Sequence, residues 1–305
     1  MPEKVLKFSY PQVTLDGTYG TQVSIPLKRN NLIQKYVGVV TLGSLTGGTS
    51  PAWTVSGTNP IITHVTLTAD NDVLFDMDTD MLGELVKLGF LFSPDGLTYR
   101  IDMADIDFEA SHNIDGTEFP SYAYNNITLT ITIAPLANIT SGSPTGSSGT
   151  VFSLVEYAAV YSKAIPLVKV KKLQNTITGL VSGLNQVVPS PVYTLQGAYK
   201  LVLYKVLSGT SPSDTAVSKM KLLINDSNVL YDEYFNVKKA DNNQLFNISL
   251  DTGFAADVYM PDSKDPSRLL VLLNPAVTRV VEQDFTTTAA NVSVKAVKII
   301  YVPSS

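Results

Sequence analysis

The sequence has no cysteine, only two histidines (His64 and His112) and a single tryptophan, Trp53, in 305 residues. Without thiols, disulfides and thiolate chemistry are excluded, and nothing follows about redox compartment. No apolar run approaches the roughly 18 residues of a membrane-spanning helix. The N-terminal MPEKVLKFSY lacks the long apolar core and small-residue cleavage site of a secretory signal. The expectation is a soluble protein or a component of something larger. Charge is scarce as well: charged residues make up 16% against 44% hydrophobic, and threonine, serine, asparagine and glycine supply the balance. That composition describes a folded, β-rich chain and not a disordered one. A net charge of −5 gives no support to bulk phosphate neutralisation, and no sequence-specific nucleic-acid partner is expected. Two local basic stretches remain, Lys4 with Lys7 and Lys169 with Lys171 and Lys172. They suit an anionic surface, or equally a solvated terminus and linker.

Motifs for catalysis are missing too. There is no G-x-S-x-G, no P-loop and no G-x-G-x-x-G, and neither histidine has partner spacing for a triad. His64 reads as a strand-face residue. Asp76, Asp78 and Asp80 recur at period two just after Asp70 and Asp72. A helix–loop–helix calcium loop counted from Asp76 needs Gly and Glu where Met81 and Lys87 stand, so that motif fails. A looser Ca²⁺ site at Asp70, Asp72, Asp76 and Asp78 stays open beside the plainer reading, a solvated strand end with a helix cap. Asp102, Asp105, Asp107 and Glu109 are the first candidates for a glycosidase pair and read otherwise as strand-edge and loop residues. Of five N-x-S/T sequons (Asn126, Asn138, Asn225, Asn247 and Asn291), only Asn138 is expected to be accessible, on a flexible Ser/Gly-rich loop, Asn138–Thr150. No catalytic, cofactor-binding or metal residue is assigned.

What is present is repetition. Ile127–Tyr161 reads ITLTITIAP, a loop, then VFSLVEYAAVYSK; the C-terminus reads LLVLLNPAV, a loop, then NVSVKAVKIIYVP. Pro135 precedes Tyr161, and Pro275 precedes Tyr301, by the same 26 residues. NDVLFD (71–76) is answered by SNVLYD (227–232), each after an Asn/Asp turn and before a short, helix-compatible piece: one through Phe90, one at Glu233–Ala240. Ile127, Leu129, Ile131 and Ile133 alternate with Thr128, Thr130 and Thr132, the pattern of a half-buried strand. Ile61–Thr68 alternates likewise, with His64, Thr66 and Thr68 on one face. Phe246–Leu250 and Ala256–Tyr259 are expected strands, and residues 1–20 an extended arm. Gly43–Pro60 is a long loop, of the kind that makes functional or structural contacts. No βαβ alternation appears. Each half holds about eight short strands and at most one or two short helices, which suits two facing antiparallel sheets.

An all-β chain of two tandem eight-stranded antiparallel jelly rolls, with these paired ends and the NDVLFD/SNVLYD pair, resembles the double jelly-roll major capsid proteins of tailless icosahedral viruses (the tectivirus, corticovirus, turrivirus and adenovirus lineage). The resemblance implies a non-enzymatic virion protein: a homotrimer whose six jelly rolls form a pseudo-hexameric capsomer. Neighbouring capsomers and minor capsid proteins would be its partners. It implies outer or inter-subunit roles for Gly43–Pro60 and Asn138–Thr150. It also places Lys4 and Lys7 at the base, facing an internal membrane. On this reading residues 1–166 are an arm and first jelly roll, 167–183 a linker and 184–305 the second jelly roll. The rival reading is a two-domain β-sandwich module that binds carbohydrate or acts as an adhesin. It calls for an aromatic platform, yet Trp53 stands alone and the 15 tyrosines are scattered.

Overall fold

A computed structural model of the chain describes residues 2, 4–88, 96–105, 116–164, 166–183, 185–189, 198–225, 228–258, 270–271 and 281–302. It divides into two compact units, residues 1–86 with 90–170, and residues 171–303 with 87–89. The stretch expected as a linker carries a twelve-residue strand, Lys169–Leu180.

The first unit has eight principal strands: β1 (Lys4–Ser9), β2 (Gln22–Pro26), β3 (Leu32–Thr41), β4 (Ile62–Ala69), β5 (Asp72–Asp78), β6 (Thr98–Asp102), β7 (Ile127–Ile133) and β8 (Val151–Val160). One antiparallel sheet runs β1-β8-β3-β6 and the other β2-β7-β4-β5. This is the jelly-roll order. Helix α1 (Thr79–Lys87) follows β5. The alternation in β7 does what its chemistry requires: Ile127, Leu129, Ile131 and Ile133 are buried, and the threonines lie half-exposed in register with Thr66, Thr68 and Ser24. In the other sheet Gly38 makes room for Phe152, because a Cβ there would lie 2.3 Å from its ring. Lys4–Ser9 corrects the expected arm: it is a sheet strand, in register with Val155–Val160 of β8.

The second unit repeats the plan strand for strand: β9 (Lys169–Leu180), β10 (Asn185–Pro189), β11 (Ala198–Ser208), β12 (Val217–Ile224), β13 (Asn228–Tyr234), β14 (Phe254–Val258), β15 (Val281–Thr287) and β16 (Val292–Val302). Its sheets run β9-β16-β11-β14 and β10-β15-β12-β13, and α2 (Phe235–Phe246) follows β13 as α1 follows β5. The core gathers Tyr199, Val202, Val206, Met220, Leu222, Phe285 and Val294 from both sheets. Even an irregularity is shared. Leu67 pairs Phe75 and Thr68 pairs Val73, leaving Leu74 as a bulge; Leu222 pairs Tyr231 and Leu223 pairs Val229, leaving position 230 as the same bulge.

Two expectations need correction. The partner of β7 in the second unit is Val281–Thr287, not LLVLLNPAV, because it sits between β10 and β12 as β7 sits between β2 and β4. Leu270–Val271 instead flanks β11, in the place Phe119–Pro120 takes beside β3; Pro275 lies outside the described residues. The equal 26-residue spacing was therefore misleading, since the turn Thr288–Asn291 is far shorter than the loop between β7 and β8. The expected strand Phe246–Leu250 is not one: α2 runs to Phe246 and is capped by Asn247 in the left-handed region (φ 50°). Tyr259, at the end of the next expected strand, lies outside the described residues.

Candidate assembly surfaces

The loops at one end of the first unit are zipped together. Ser44–Thr46 pairs with Gly146–Ser148, and Ala52–Trp53 with Thr140–Ser141, so the expected flexible loop Asn138–Thr150 is an ordered arm locked onto Gly43–Pro60. Its glycines are there for close approach. A Cβ on Gly48 would lie 2.2 Å from the Gly142 carbonyl, and one on Gly142 would lie 2.4 Å from that of Thr49; both residues have positive φ. The Trp53 indole donates to the Gly43 carbonyl (2.9 Å) and packs against Tyr19, ring centroids 6.3 Å apart. Asp16 fastens the third loop by accepting from the Ser147 hydroxyl and from the Gly149 (2.7 Å) and Thr150 (3.2 Å) amides. Trp53 therefore serves the cap internally and is not a sugar platform.

The carboxylates considered for calcium are divided among different partners. Asp70 turns the chain at φ 52° and accepts from the amides of Asn125 and Asn126. Asp72 binds the Lys169 ammonium. Asp76 and Asp78 clamp His64, Nε2 to Asp76 at 2.8 Å and Nδ1 to Asp78 at 2.7 Å. The two Asp76 and Asp78 hydrogen bonds hold the imidazolium charged, raising its pKa to about 9 against the opposing effect of burial. Among the described residues no group of three histidine, aspartate or glutamate side chains is placed to hold a metal ion. The clamp has a counterpart at the equivalent place in the second unit: Lys219 bonds Asp232 at 2.8 Å and lies 5.6 Å from the Tyr234 ring. Sequence reading separated His64 from Asp76 and Asp78. The signal that joins them is β4–β5 register, His64 opposite Asp78 and Thr66 opposite Asp76.

The remaining candidates fall apart as a site. Asp102 is buried against Arg100 (2.7 Å), and Asp105 is buried with its amide bonded to Thr117. Asp107, Glu109 and His112 lie outside the described residues. Asn138 is exposed, but so are Asn126, Asn247 and Asn291, which corrects the expectation that Asn138 alone is accessible. Of the basic stretches, Lys7 stacks on Tyr157 (5.1 Å) and Lys172 is buried.

Sequence reasoning missed a buried polar network in the second unit. Lys238 on α2 bonds Asp257 and Glu233 (2.9 Å), Tyr204 donates to Asp257 (2.8 Å), and Gln283 donates to Tyr204 (3.2 Å). Burial opposes the Lys238 charge, yet Asp257 and Glu233 hold it above its usual pKa. A cavity of about 790 Å³, lined in part by Glu233, Asp241 and Leu245, opens beside this network. In the first unit one of the buried carboxylates is Glu156, bound by Tyr10 (2.5 Å) and Asn31 (2.6 Å) and in register with Tyr36. Both networks read as internal polar struts: each ionised group in them is matched by partners from its own unit.

Two jelly rolls of one sheet order in a single chain define the double jelly-roll fold. Solved structures similar to it include viral capsid proteins. The STIV major capsid protein superposes with a TM-score of 0.72 over 98% of this chain and 97% of its own, at 16% identity. The major capsid protein P2 of bacteriophage PM2 gives 0.65 over 98% of each chain at 9% identity. A chain of the PBCV-1 virus capsid gives 0.64 over 98% of this chain and 94% of its own at 13%. No protein-family profile matches the sequence. No curated protein matches it either.

Proposed function

We propose that this chain is the major capsid protein of an icosahedral virus, and that its building block is a homotrimer in which six jelly rolls form a pseudo-hexameric capsomer. The observation that carries the reading is the strand-for-strand duplication, including the shared bulge. A chain with two like barrels lets three copies approximate sixfold packing on a shell. The ordered cap of zipped loops supports it as a shaped contact surface facing outward or toward neighbouring capsomers and minor capsid proteins. Low charge suits burial of large repeated contacts, whose cores are depleted of charged residues.

Light scattering on the purified chain tests this. A particle of about 99 kDa, three chains of 32.9 kDa, is expected, with a hexagonal outline by electron microscopy. A monomer at every accessible concentration overturns the reading. Contact with an internal membrane has narrower support: Lys4 is exposed, but Lys7 packs on Tyr157 and Lys169 is bound to Asp72. Flotation with anionic vesicles tests it, and unchanged binding by a Lys4→Glu/Lys7→Glu chain removes those lysines from that role.

A further inference from the structure

Among the described residues, several strands keep a side with no strand partner, β2, β6, β10 and β14 among them; two more stand out by their charge, β1 in the first unit and β13 in the second. A free edge is a row of unused backbone donors and acceptors, and folded proteins cover or guard it. These two are opposite in charge. KVLKFS carries Lys4 and Lys7 and no acid; NVLYDEY carries Asp232 and Glu233 and no base. Both acids also hold a lysine of their own unit, yet their side chains stay 40% and 45% exposed. Apolar side chains are exposed on the same strands: Val5 on β1, Val229 and Tyr234 on β13.

The first unit shows how such an edge is met. Lys169 opens a KVKK run that matches Lys4-Val5-Leu6-Lys7, and its ammonium bonds Asp72 at the start of β5. β5 is the counterpart of β13, NDVLFD answering SNVLYD. The equivalent approach for β13 would need a second KVxK strand, and the chain has one more, β1. We propose that β1 of one copy lies along β13 of the next, as the contact that builds the capsomer. This deepens the capsid reading and rests on it. Like-with-like pairing would set lysines against lysines or acids against acids, which is unfavourable across strands. The contact is therefore heterologous, one surface on each copy meeting a different one on its neighbour, and such contacts generate closed rings when the rotation closes.

The test uses the full chain and light scattering, with circular dichroism to confirm folding. Lys4→Glu/Lys7→Glu and Asp232→Lys/Glu233→Lys variants should each fall from about 99 kDa to the 32.9 kDa monomer. Mixed one to one, they should associate again into particles larger than the 32.9 kDa monomer, because β1 of each variant is then opposite in charge to β13 of the other. If wild type is trimeric and both variants stay trimeric, the edge assignment fails while the capsid reading stands. A monomeric wild type overturns both. Because Asp232 and Glu233 also bind Lys219 and Lys238, a gentler variant guards against misfolding: Val5→Cys/Val229→Cys in a chain without cysteine. On oxidation it should run as a cross-linked trimer on a non-reducing gel. Monomer alone, under conditions where wild type is trimeric, overturns the proposal. A Lys4→Glu/Lys7→Glu chain that trimerises but loses anionic vesicles does so too, and assigns those lysines to a membrane.

Discussion

The His64 clamp makes a quantitative prediction about alkaline pH. The imidazole is raised from 6.5 to about 9 by Asp76 and then Asp78. At about 1.4 kcal/mol per pKa unit, that corresponds to roughly 3 kcal/mol as an upper bound. The side chain is 27% exposed, so solvent screening reduces the useful figure to about 1–2 kcal/mol. The folded pKa lies above the unfolded one. The contribution is therefore fully present below pH 6.5, declines between 6.5 and 9, and is gone above. For a unit of this size, that is on the order of 2–8 °C in melting temperature. Wild type and His64→Gln should be melted in parallel from pH 5.5 to 10. Their difference should be constant up to pH 6.5 and then shrink toward pH 9. Because only two histidines exist, the ring resonance lost in the variant identifies His64, and it should titrate near 9. A midpoint at or below 6.5, or a stability difference independent of pH, refutes the reasoning.

Three further outcomes are expected. Lys298 is buried beside Lys171 and lowered to about 8, so its folded pKa lies below the unfolded value and stability should rise between pH 8 and 10.5; Lys298→Met should stabilise the chain at pH 7 by about 1–2 kcal/mol in urea titrations and flatten that rise. Lys238→Met leaves the buried Asp257 carboxylate without its cation and should cost about 3–5 kcal/mol, whereas Lys238→Met/Asp257→Asn should recover part of the loss, as a double-mutant cycle in denaturant would show. Gly142→Ala forces a Cβ into the Thr49 carbonyl at positive φ. It should open the zipped loops to limited proteolysis within 43–60 or 136–150 while the melting of the second unit stays unchanged.

Much of the fold could be read from alternation. β7, β4 and the NDVLFD/SNVLYD pair stood out because one face of each strand meets a core and the other does not. β15 did not, for a physical reason. Its sequence VEQDFTT buries Gln283, which bonds Tyr204, and also Asp284, so polar side chains occupy positions where an apolar period would have shown. The neighbouring apolar run drew attention instead. The Ser/Gly-rich composition of 138–150 suggested mobility, although glycine there permits two backbones to touch. The His64 clamp was hidden because its three members meet only across a hairpin, and register is a property of pairing, not of local composition.

The shared one-residue insertion at Leu74 and at position 230 decides which way the chemistry after it points. Draw Leu74 into the ladder opposite Leu67 and keep the turn: Phe75 would then fall opposite Thr66 and Asp76 opposite Val65, carrying an aspartate into the oily interior and an aromatic ring out to water. The same straightening in the second half, with position 230 opposite Leu222, would set Tyr231 opposite Lys221 and Asp232 opposite Met220. One surplus residue per barrel thus acts as a half-turn of the strand, and both halves of the molecule depend on having it in the same place.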